Sequence, residues 1–298
     1  RNTRLVMAPA VLKTVADVKD WTAGLLREGH RLALVPTMGF LHEGHLSLIR
    51  EGRRRADVVA VSIFVNPTQF GPKEDLSRYP RDFEGDVAKC ISAGAQAIFA
   101  PAGPEVMYPQ GYQTYVEVTD VSQGLCGARR PGHFRGVATV VTKLLTLFRP
   151  EVALFGEKDY QQLQVIRALN QDLHLGADIV GMPTVREPDG LAMSSRNAYL
   201  SPEERQRALA LSRGLKAAQA LLREGTRESE PLVAAVRREL EAAGLREDYV
   251  ELVDAERLTP LASVAPGQPA RLLVAAFSGT TRLIDNMQLG GEENAGRV

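Results

Sequence analysis

Three short polar segments hold the residue types best suited to binding phosphate. The first is PTMGFLHEGH at residues 36–45, in which His42 and His45 lie three positions apart. The second is GEKD at residues 156–159, and the third is MSSRN at residues 193–197. Imidazole, ammonium, hydroxyl and guanidinium groups all donate hydrogen bonds to phosphate oxygens. Together these segments predict a polyphosphate site.

The histidine segment follows a short apolar run at residues 32–36 and precedes a helical pattern. Ligands of open α/β sheets bind beyond the carboxyl ends of the strands, and a helix N-terminus favours phosphate. Gly39 and Gly44 allow close backbone approach, and His42 and His45 can face the same way on a first helical turn. Two alternatives stay open, namely surface histidines at a helix cap and a zinc site. The pair is not HExxH, and no third ligand pattern is evident.

The lysine and serine segments each have a plain structural alternative. Lys158 is a point charge well placed for a phosphate, but Asp159 and Gln162 have the spacing of a helix-capping box. The two hydroxyls and the guanidinium of residues 194–196 could clamp a polyphosphate or belong to an ordinary polar loop. The pairing of this loop with the histidine segment favours the functional interpretation.

Two further polar stretches occur between these segments. In NPTQF at residues 66–70, the Gln69 amide could bind a hydroxyl or a carboxylate, or the stretch could be only an Asn-Pro turn. The stretch RRPGHF at residues 129–134 holds a compact positive cluster. It could bind an anion or lie in a solvated loop, and the sequence does not tell whether Arg129 or Arg130 would reach a site.

The elements that must position these residues alternate between strand and helix in the first part of the chain. The predicted strands are continuous apolar runs, which favours a parallel sheet covered by helices on both faces. These runs cover residues 32–36, 58–66, 97–101, 114–118, 152–155 and 178–185.

The pattern changes after Ser201, where a capping box opens a long helix. A second helix over 230–243 and strands over 249–253 and 272–277 follow. The predicted fold is therefore α/β, with a Rossmann-like domain at 1–186 and a smaller α+β domain at 187–291. A polar tail, expected to be frayed, completes the chain at 292–298.

Composition excludes several function classes. The 298 residues are 44% hydrophobic and carry a formal net charge of +0, so no global field favours nucleic acid or an anionic membrane. The two cysteines form no CxxC pair, and no apolar run approaches membrane-spanning length. No secretory leader is evident, so a cytoplasmic location is expected. The P-loop, GxGxxG and GxSxG motifs are also missing from the sequence.

Five motifs taken together resemble the pantothenate synthetase family, within the superfamily of HxGH nucleotidyltransferases. They are PTMGFLHEGH, FVNPTQF, RPGHFRGV, FGEKDYQQL and DGLAMSSRN, and their order and spacing extend the resemblance over essentially the whole chain. The doubled arginine and the tail after Gly291 depart from the family pattern without affecting the chemistry.

The resemblance implies a two-step reaction that makes a coenzyme A precursor. Pantoate attacks the α-phosphate of ATP and releases pyrophosphate, and β-alanine then attacks the pantoyl adenylate and releases AMP and pantothenate. It further implies Mg²⁺ on the phosphates, for which Asp86 is a candidate partner, and a cytoplasmic homodimer whose smaller domain acts as a lid.

The resemblance also assigns residues. His45, His42 and Lys158 are the implied catalytic residues, with His45 as the proton donor. Gln69, Gln162 and Met38 are implied to bind pantoate, and Gln69 also β-alanine. The implied ATP-binding residues are Met38, Gly39, Phe40, Leu41, His42, Glu43, Gly44, His45, Gly156, Glu157, Lys158, Asp159, Val185, Met193, Ser194, Ser195 and Arg196.

Two other functions compete with this interpretation. A nucleotidyltransferase acting on a phosphorylated acceptor would share HxGH but would not need Gln69 and Gln162. A non-catalytic nucleotide-binding module would bind ATP without pyrophosphate exchange, and the clustering of His, Lys, Ser and Arg disfavours it.

Overall fold

A computed structural model describes residues 8–291 of the chain. The internal contacts divide the chain into two compact units. Of the described residues, the first unit contains 8–157 and 165–183, and the second contains 158–164 and 184–291. The domain boundary inferred from the sequence at residue 186 stays a prediction. The predicted polar tail at 292–298 lies outside the described residues.

The first unit is built on one six-stranded sheet in which every neighbouring pair is parallel. Its strand order is β1-β4-β3-β2-β5-β6. The central strands are buried along nearly their whole length, as their apolar runs predict. The strands are β1 (Ala10–Leu12), β2 (Leu32–Thr37), β3 (Val58–Ile63), β4 (Ala97–Phe99), β5 (Val152–Gly156) and β6 (Asp178–Met182).

Helices connect these strands, and their ends follow the capping signals of the sequence. At the first helix, Thr14 and Asp17 form a capping box. The helices are α1 (Val15–Arg27), α2 (Glu43–Arg55), α3 (Phe83–Ala93), α4 (Leu125–Arg129), α5 (His133–Phe148) and α6 (Tyr160–Asp172). The first turn of α6 belongs to the second unit by its contacts.

The strand order changes direction between β2 and β5. From β2 the chain proceeds to β3 and β4 on one side, whereas β5 and β6 lie on the other. Leu34 of β2 pairs with Ala153 of β5, so the two strands are direct neighbours. Ligand sites of such sheets lie where the order reverses, beyond the carboxyl ends of the strands. The chain leaves β2 through the histidine segment and leaves β5 at Gly156.

The second unit places two helices against a three-stranded antiparallel sheet with the order β7-β8-β9. Ser201 and Glu204 form the predicted capping box. Leucine, valine and alanine side chains from both layers form one buried cluster. The elements are α7 (Pro202–Arg223), α8 (Ser229–Ala242), β7 (Arg246–Asp254), β8 (Ala270–Ser278) and β9 (Thr281–Leu289).

The predicted fold class is confirmed, and three strand assignments differ from prediction. No strand forms over 114–118, where the N–H of Val116 donates to the hydroxyl of Thr139 instead of to a strand. β1 and β9 were not predicted. β9 was missed because it contains buried Asp285 and Asn286, which break the apolar pattern of a core strand.

Candidate active site

His42 and His45 cap the N-terminus of α2 with their own side chains. The N–H of Gly44 donates to Nδ1 of His42 (3.1 Å), and the N–H of His42 donates to Nδ1 of His45 (3.1 Å). The ring centroids are 4.0 Å apart. A Cβ on Gly44 would lie 2.7 Å from Cε1 of His42, so the imidazole requires glycine at this position. The capping and functional interpretations of the motif are thus compatible.

These hydrogen bonds fix the tautomer of both rings. Because each Nδ1 accepts a backbone N–H, the proton of each neutral imidazole is assigned to Nε2. Each Nε2 is therefore a hydrogen-bond donor. Two half-buried imidazole donors at a helix N-terminus are suited to anionic oxygens.

The loop at residues 38–42 that leads into α2, here called the histidine loop, has an unusual backbone and a buried anchor. Gly39 and Phe40 both have positive φ, at 83° and 52°. The carboxylate of Asp86 on α3 is only 1% exposed and accepts the N–H groups of Phe40 and Leu41, each at 2.8 Å. Nζ of Lys89, one turn further along α3, donates to the carbonyl of Leu41 (3.0 Å). Helix α3 thus stabilises a backbone conformation of the loop that is intrinsically unfavourable in free energy.

Gln69 is buried in a 3₁₀ turn (Pro67–Gln69) that follows β3, and its amide orientation is fixed. Nδ2 of Asn66 donates to Oε1 of Gln69 (2.9 Å) and to the carbonyl of Gly136 (3.1 Å). Since Oε1 already accepts a hydrogen bond, the NH₂ group of Gln69 is the one that can bind a ligand oxygen. Asn66, itself 1% exposed, orients the Gln69 amide, whereas the sequence predicted it only as part of a turn.

The basic stretch at 129–134 supports Gln69 from α5. Nδ1 of His133 lies 2.9 Å from the carbonyl of Gln69, which assigns the ring proton to Nδ1. Arg130 lies 3.4 Å from Nε2 of His133 and forms a two-pronged ion pair with Glu74. Arg130 is therefore the arginine beside Gln69, whereas Arg129 is exposed. The charge of Arg130 is largely neutralised, so this stretch fits a supporting role better than an anion site of its own.

The Glu74 carboxylate has a strongly shifted pKa. Burial raises the pKa, but the hydrogen bonds and charge of Arg130 and the N–H of Gly71 outweigh burial and lower it to about 2. The pair is thus ionised at any pH at which the protein would normally be studied.

A cavity of about 480 Å³ lies beside the histidine loop in the first unit. Met38 and Gly39 line it, together with Phe64 and Pro67 from the region after β3. Lys13 and Arg81 supply the positive charge of its wall. The volume suits a small organic molecule.

In the second unit, Lys158 lies in a 3₁₀ turn (Glu157–Asp159) directly before α6. The side chain of Lys158 is half-buried. Nδ2 of Asn286 on β9 donates to the carbonyl of Lys158 (2.8 Å). On the first turn of α6, Gln162 is half-buried and Gln161 is buried.

The segment from Val185 to Arg196 folds back on itself in the same unit. The N–H of Met193 donates to the carbonyl of Val185 (3.0 Å), so these two predicted nucleotide-site residues are neighbours. Ser194 caps a 3₁₀ helix (Ser195–Tyr199) by accepting the N–H of Arg196 (3.2 Å). Arg186 forms a two-pronged ion pair with buried Asp285, the residue before Asn286.

The chain is similar to one family of known proteins over most of its length. The family profile described as Pantoate-beta-alanine ligase matches residues 10–288. The chain belongs to this family. A pantothenate synthetase of Anaeromyxobacter dehalogenans is 63% identical over 284 residues, covering 92% of this chain and 98% of that protein. One from Geobacter sulfurreducens is 54% identical, covering 95% and 99%.

Solved structures agree with the family assignment. A pantothenate synthetase from Thermus thermophilus has a TM-score of 0.88 at 47% identity, covering 93% of this chain and 98% of that one. A pantoate-β-alanine ligase from Francisella tularensis, complexed with β,γ-ATP and β-alanine, has a TM-score of 0.77 at 32% identity. The latter match covers 94% of this chain and 97% of that one.

Asp86 does not fit the role of magnesium ligand that the family resemblance suggested. Both of its oxygens accept backbone N–H groups at 2.8 Å, so the carboxylate is committed to the loop. Among residues 8–291, no group of three or more His, Cys, Asp or Glu side chains could hold a metal ion. In the same range, no helix combines the length and apolar character needed to cross a bilayer.

Proposed function

We propose that this ligase condenses pantoate with β-alanine in an ATP-dependent reaction that passes through a pantoyl adenylate. The observation that carries the proposal is the pair of imidazoles whose capping bonds turn both Nε2 atoms into donors. Family membership supplies the substrates, and the Francisella relative was solved with β,γ-ATP and β-alanine.

In the first step, a carboxylate oxygen of pantoate attacks the α-phosphorus of ATP, and the bond to pyrophosphate breaks. Negative charge concentrates around one phosphorus, so positioned donors and cations supply most of the rate gain. His42 and His45 donate to phosphate oxygens through Nε2, and Lys158 neutralises charge at the α-phosphate. The residues Ser194, Ser195 and Arg196 hold the β- and γ-phosphates.

In the second step, the amine of β-alanine attacks the acyl carbon of the adenylate, and the bond to AMP breaks. The attacking nitrogen loses its proton to solvent, and AMP leaves with the bonding electrons on its phosphate oxygen. His45 is the proposed donor in this step, because its Nε2–H group can donate a hydrogen bond to that oxygen as negative charge develops.

Pantoate is proposed to lie against Met38 and to accept hydrogen bonds from Gln69 and Gln162. The direction of the Gln69 amide supports this role, because its NH₂ group matches the oxygen-rich pantoate. Gln69 is also assigned to the β-alanine carboxylate. The remaining nucleotide contacts are assigned to the histidine loop, to Gly156–Asp159 and to Val185 and Met193, partly through backbone groups.

We further propose that the enzyme works in the cytoplasm as a homodimer and uses ATP as its magnesium complex. The ion would be held through the phosphates, because Asp86 is engaged elsewhere. Light scattering on the purified protein tests the homodimer.

The proposed domains are a nucleotide- and pantoate-binding domain at 1–186 and a lid at 187–291.

Isotope exchange between pyrophosphate and ATP, with and without pantoate, is the most direct test. Exchange that requires pantoate, followed by AMP formation that requires β-alanine, is the expected result. A nucleotidyltransferase would form a stable nucleotidyl product with a phosphorylated acceptor and without any amine. A failure to form AMP with all three substrates present would refute the proposed reaction.

A further inference from the structure

Asn286 on β9 contacts the backbone of Lys158, although 128 positions separate the two residues. Its Nδ2 donates to the carbonyl of Lys158 at 2.8 Å. Asn286 is 3% exposed, so this hydrogen bond is shielded from water. The bond fixes the peptide plane from which the lysine side chain departs.

Arg271 on β8 determines which way the Asn286 amide points. Its Nη1 donates to Oδ1 of Asn286 (3.1 Å), which leaves the NH₂ group facing Lys158. The guanidinium also lies 4.1 Å from the ring centroid of Tyr160, two residues after the lysine. Arg271 is 8% exposed and Tyr160 is 6% exposed, so both side chains are buried. Strands β8 and β9 therefore hold residues 158–160, here called the lysine turn, at two points.

We propose that Asn286 is a positioning residue that acts through Lys158, setting the direction in which the ammonium is presented. The inference rests on the role proposed above for Lys158. A bound cation accelerates phosphoryl transfer only when it is held where charge develops, and a displacement of about 1 Å can cost about 100-fold in rate. Asn286 itself contacts no reacting atom in this proposal.

Asn286→Asp removes the donor and keeps the size of the side chain, and the negative charge that it adds lies beside Arg271. The substitution keeps the volume and keeps an oxygen for Arg271, so burial and the contact with β8 are retained. The NH₂ group becomes an oxygen that faces the carbonyl of Lys158, and two acceptors cannot form a hydrogen bond. Ser278→Ala is the matched control, because buried Ser278 donates to the carbonyl of Glu204 (2.8 Å), which is not in the lysine turn.

The decisive experiment is a double-mutant cycle between Asn286→Asp and Lys158→Ala. It measures pantoate-dependent pyrophosphate–ATP exchange together with melting temperature. Asn286→Asp is expected to lower kcat about 10- to 100-fold, while Ser278→Ala stays within about 2-fold. With alanine at 158, Asn286→Asp should lower the rate by less than about 2-fold, because the group it positions is gone. Equal effects in both backgrounds, or full activity of Asn286→Asp alone, would overturn the proposal.

Calorimetric titration with AMP, whose phosphate is the α-phosphate of ATP, gives a second cycle that needs no turnover. Binding should weaken about 3- to 10-fold in Asn286→Asp and show no further loss when Lys158 is already alanine. Additive losses would contradict the inference. If the unmodified enzyme shows no pantoate-dependent exchange, the proposed function fails, and this binding cycle still decides the role of Asn286.

Discussion

The histidine loop of the first unit and the lysine turn of the second are held in opposite ways. In the first, a buried carboxylate from the neighbouring helix α3 accepts the N–H groups of Phe40 and Leu41. In the second, neutral side-chain donors bind backbone carbonyls and join the residues around Lys158 to distant segments of the same unit. Asn286 donates to the carbonyl of Lys158, and Tyr160 and Gln164 donate to that of Ala255.

This difference follows from the backbone groups that each segment leaves unpaired. A loop with two consecutive positive-φ residues points N–H groups in one direction, and an anion is the strongest acceptor for them. The lysine turn instead presents the carbonyl of Lys158, which needs a donor. The side chains of Tyr160 and Gln164 donate to the carbonyl of Ala255. One region thus depends on a single charged group and its neighbour Lys89, whereas the other distributes its anchoring over several neutral bonds.

The largest effect is expected for His45→Ala, which tests whether the imidazole of His45 does more than cap α2. His45→Ala should lower kcat about 100- to 1,000-fold, as loss of a donor to developing charge does in other enzymes. Loss of the cap should cost only about 1 kcal/mol in the free energy of unfolding. Pyrophosphate–ATP exchange and urea unfolding measure the two effects.

His45→Gln is the control for that experiment. Glutamine at this helical position can still accept the N–H of His42 and thereby restore the cap. It cannot replace the imidazole as a donor at the same place. Recovery of activity in His45→Gln would show that capping alone explains the histidine.

Removal of the buried carboxylate that anchors the histidine loop should have the next largest effect. Asp86→Ala leaves the N–H groups of Phe40 and Leu41 buried without a carboxylate, which should cost about 2–5 kcal/mol. Turnover should fall about 100-fold because the imidazoles lose their position. Glu84→Gln removes an exposed charge from the same helix and should change neither quantity. Asp86→Ala with normal stability would show that α3 is not the anchor.

The same contrast explains what could be predicted from the sequence. The histidine motif could be predicted because its cap, its glycine and its two imidazoles lie within four consecutive residues. Most of the sheet could be predicted for a similar reason, since buried parallel strands are continuous apolar runs. The match to the family then confirmed the fold class.

The residues that anchor the two regions, Asp86 and Asn286, could not be predicted from the sequence. Asp86 lies in a helix whose pattern gives no sign of a contact 46 residues upstream, and it was considered only as a metal partner. Asn286 lies on a strand that was not predicted, because Asp285 and Asn286 are polar residues in a buried element. Such contacts depend on tertiary pairing, which local periodicity does not encode.

Low pH should weaken a third stabilising interaction, the ion pair between Arg130 and Glu74 beside Gln69. The folded-state pKa of Glu74 is lowered to about 2, so the stabilisation is complete above about pH 4.5 and is lost as the pH falls towards 2. Glu74→Gln should cost about 2 kcal/mol at pH 7 after allowance for solvent screening, and less at lower pH. Urea unfolding between pH 7 and 3.5 measures this. Glu239→Gln, from an exposed pair with Arg213, should have almost no effect at any pH.

The smallest effect should come from Tyr160→Phe in the lysine turn. The Tyr160 hydroxyl donates to the carbonyl of Ala255, but Nε2 of Gln164 donates to the same carbonyl (2.8 Å), so that carbonyl keeps a partner after the substitution. The ring also remains beneath Arg271. We therefore expect a loss of about 0.5–1 kcal/mol, measured by urea unfolding.

Combining Tyr160→Phe with Gln164→Ala should cost more than the sum of the two single changes, because only then does the Ala255 carbonyl lose both donors. Strict additivity would show that the two donors do not substitute for each other. The lysine turn would then depend on single anchors just as the histidine loop does, and the contrast between the two regions would not hold.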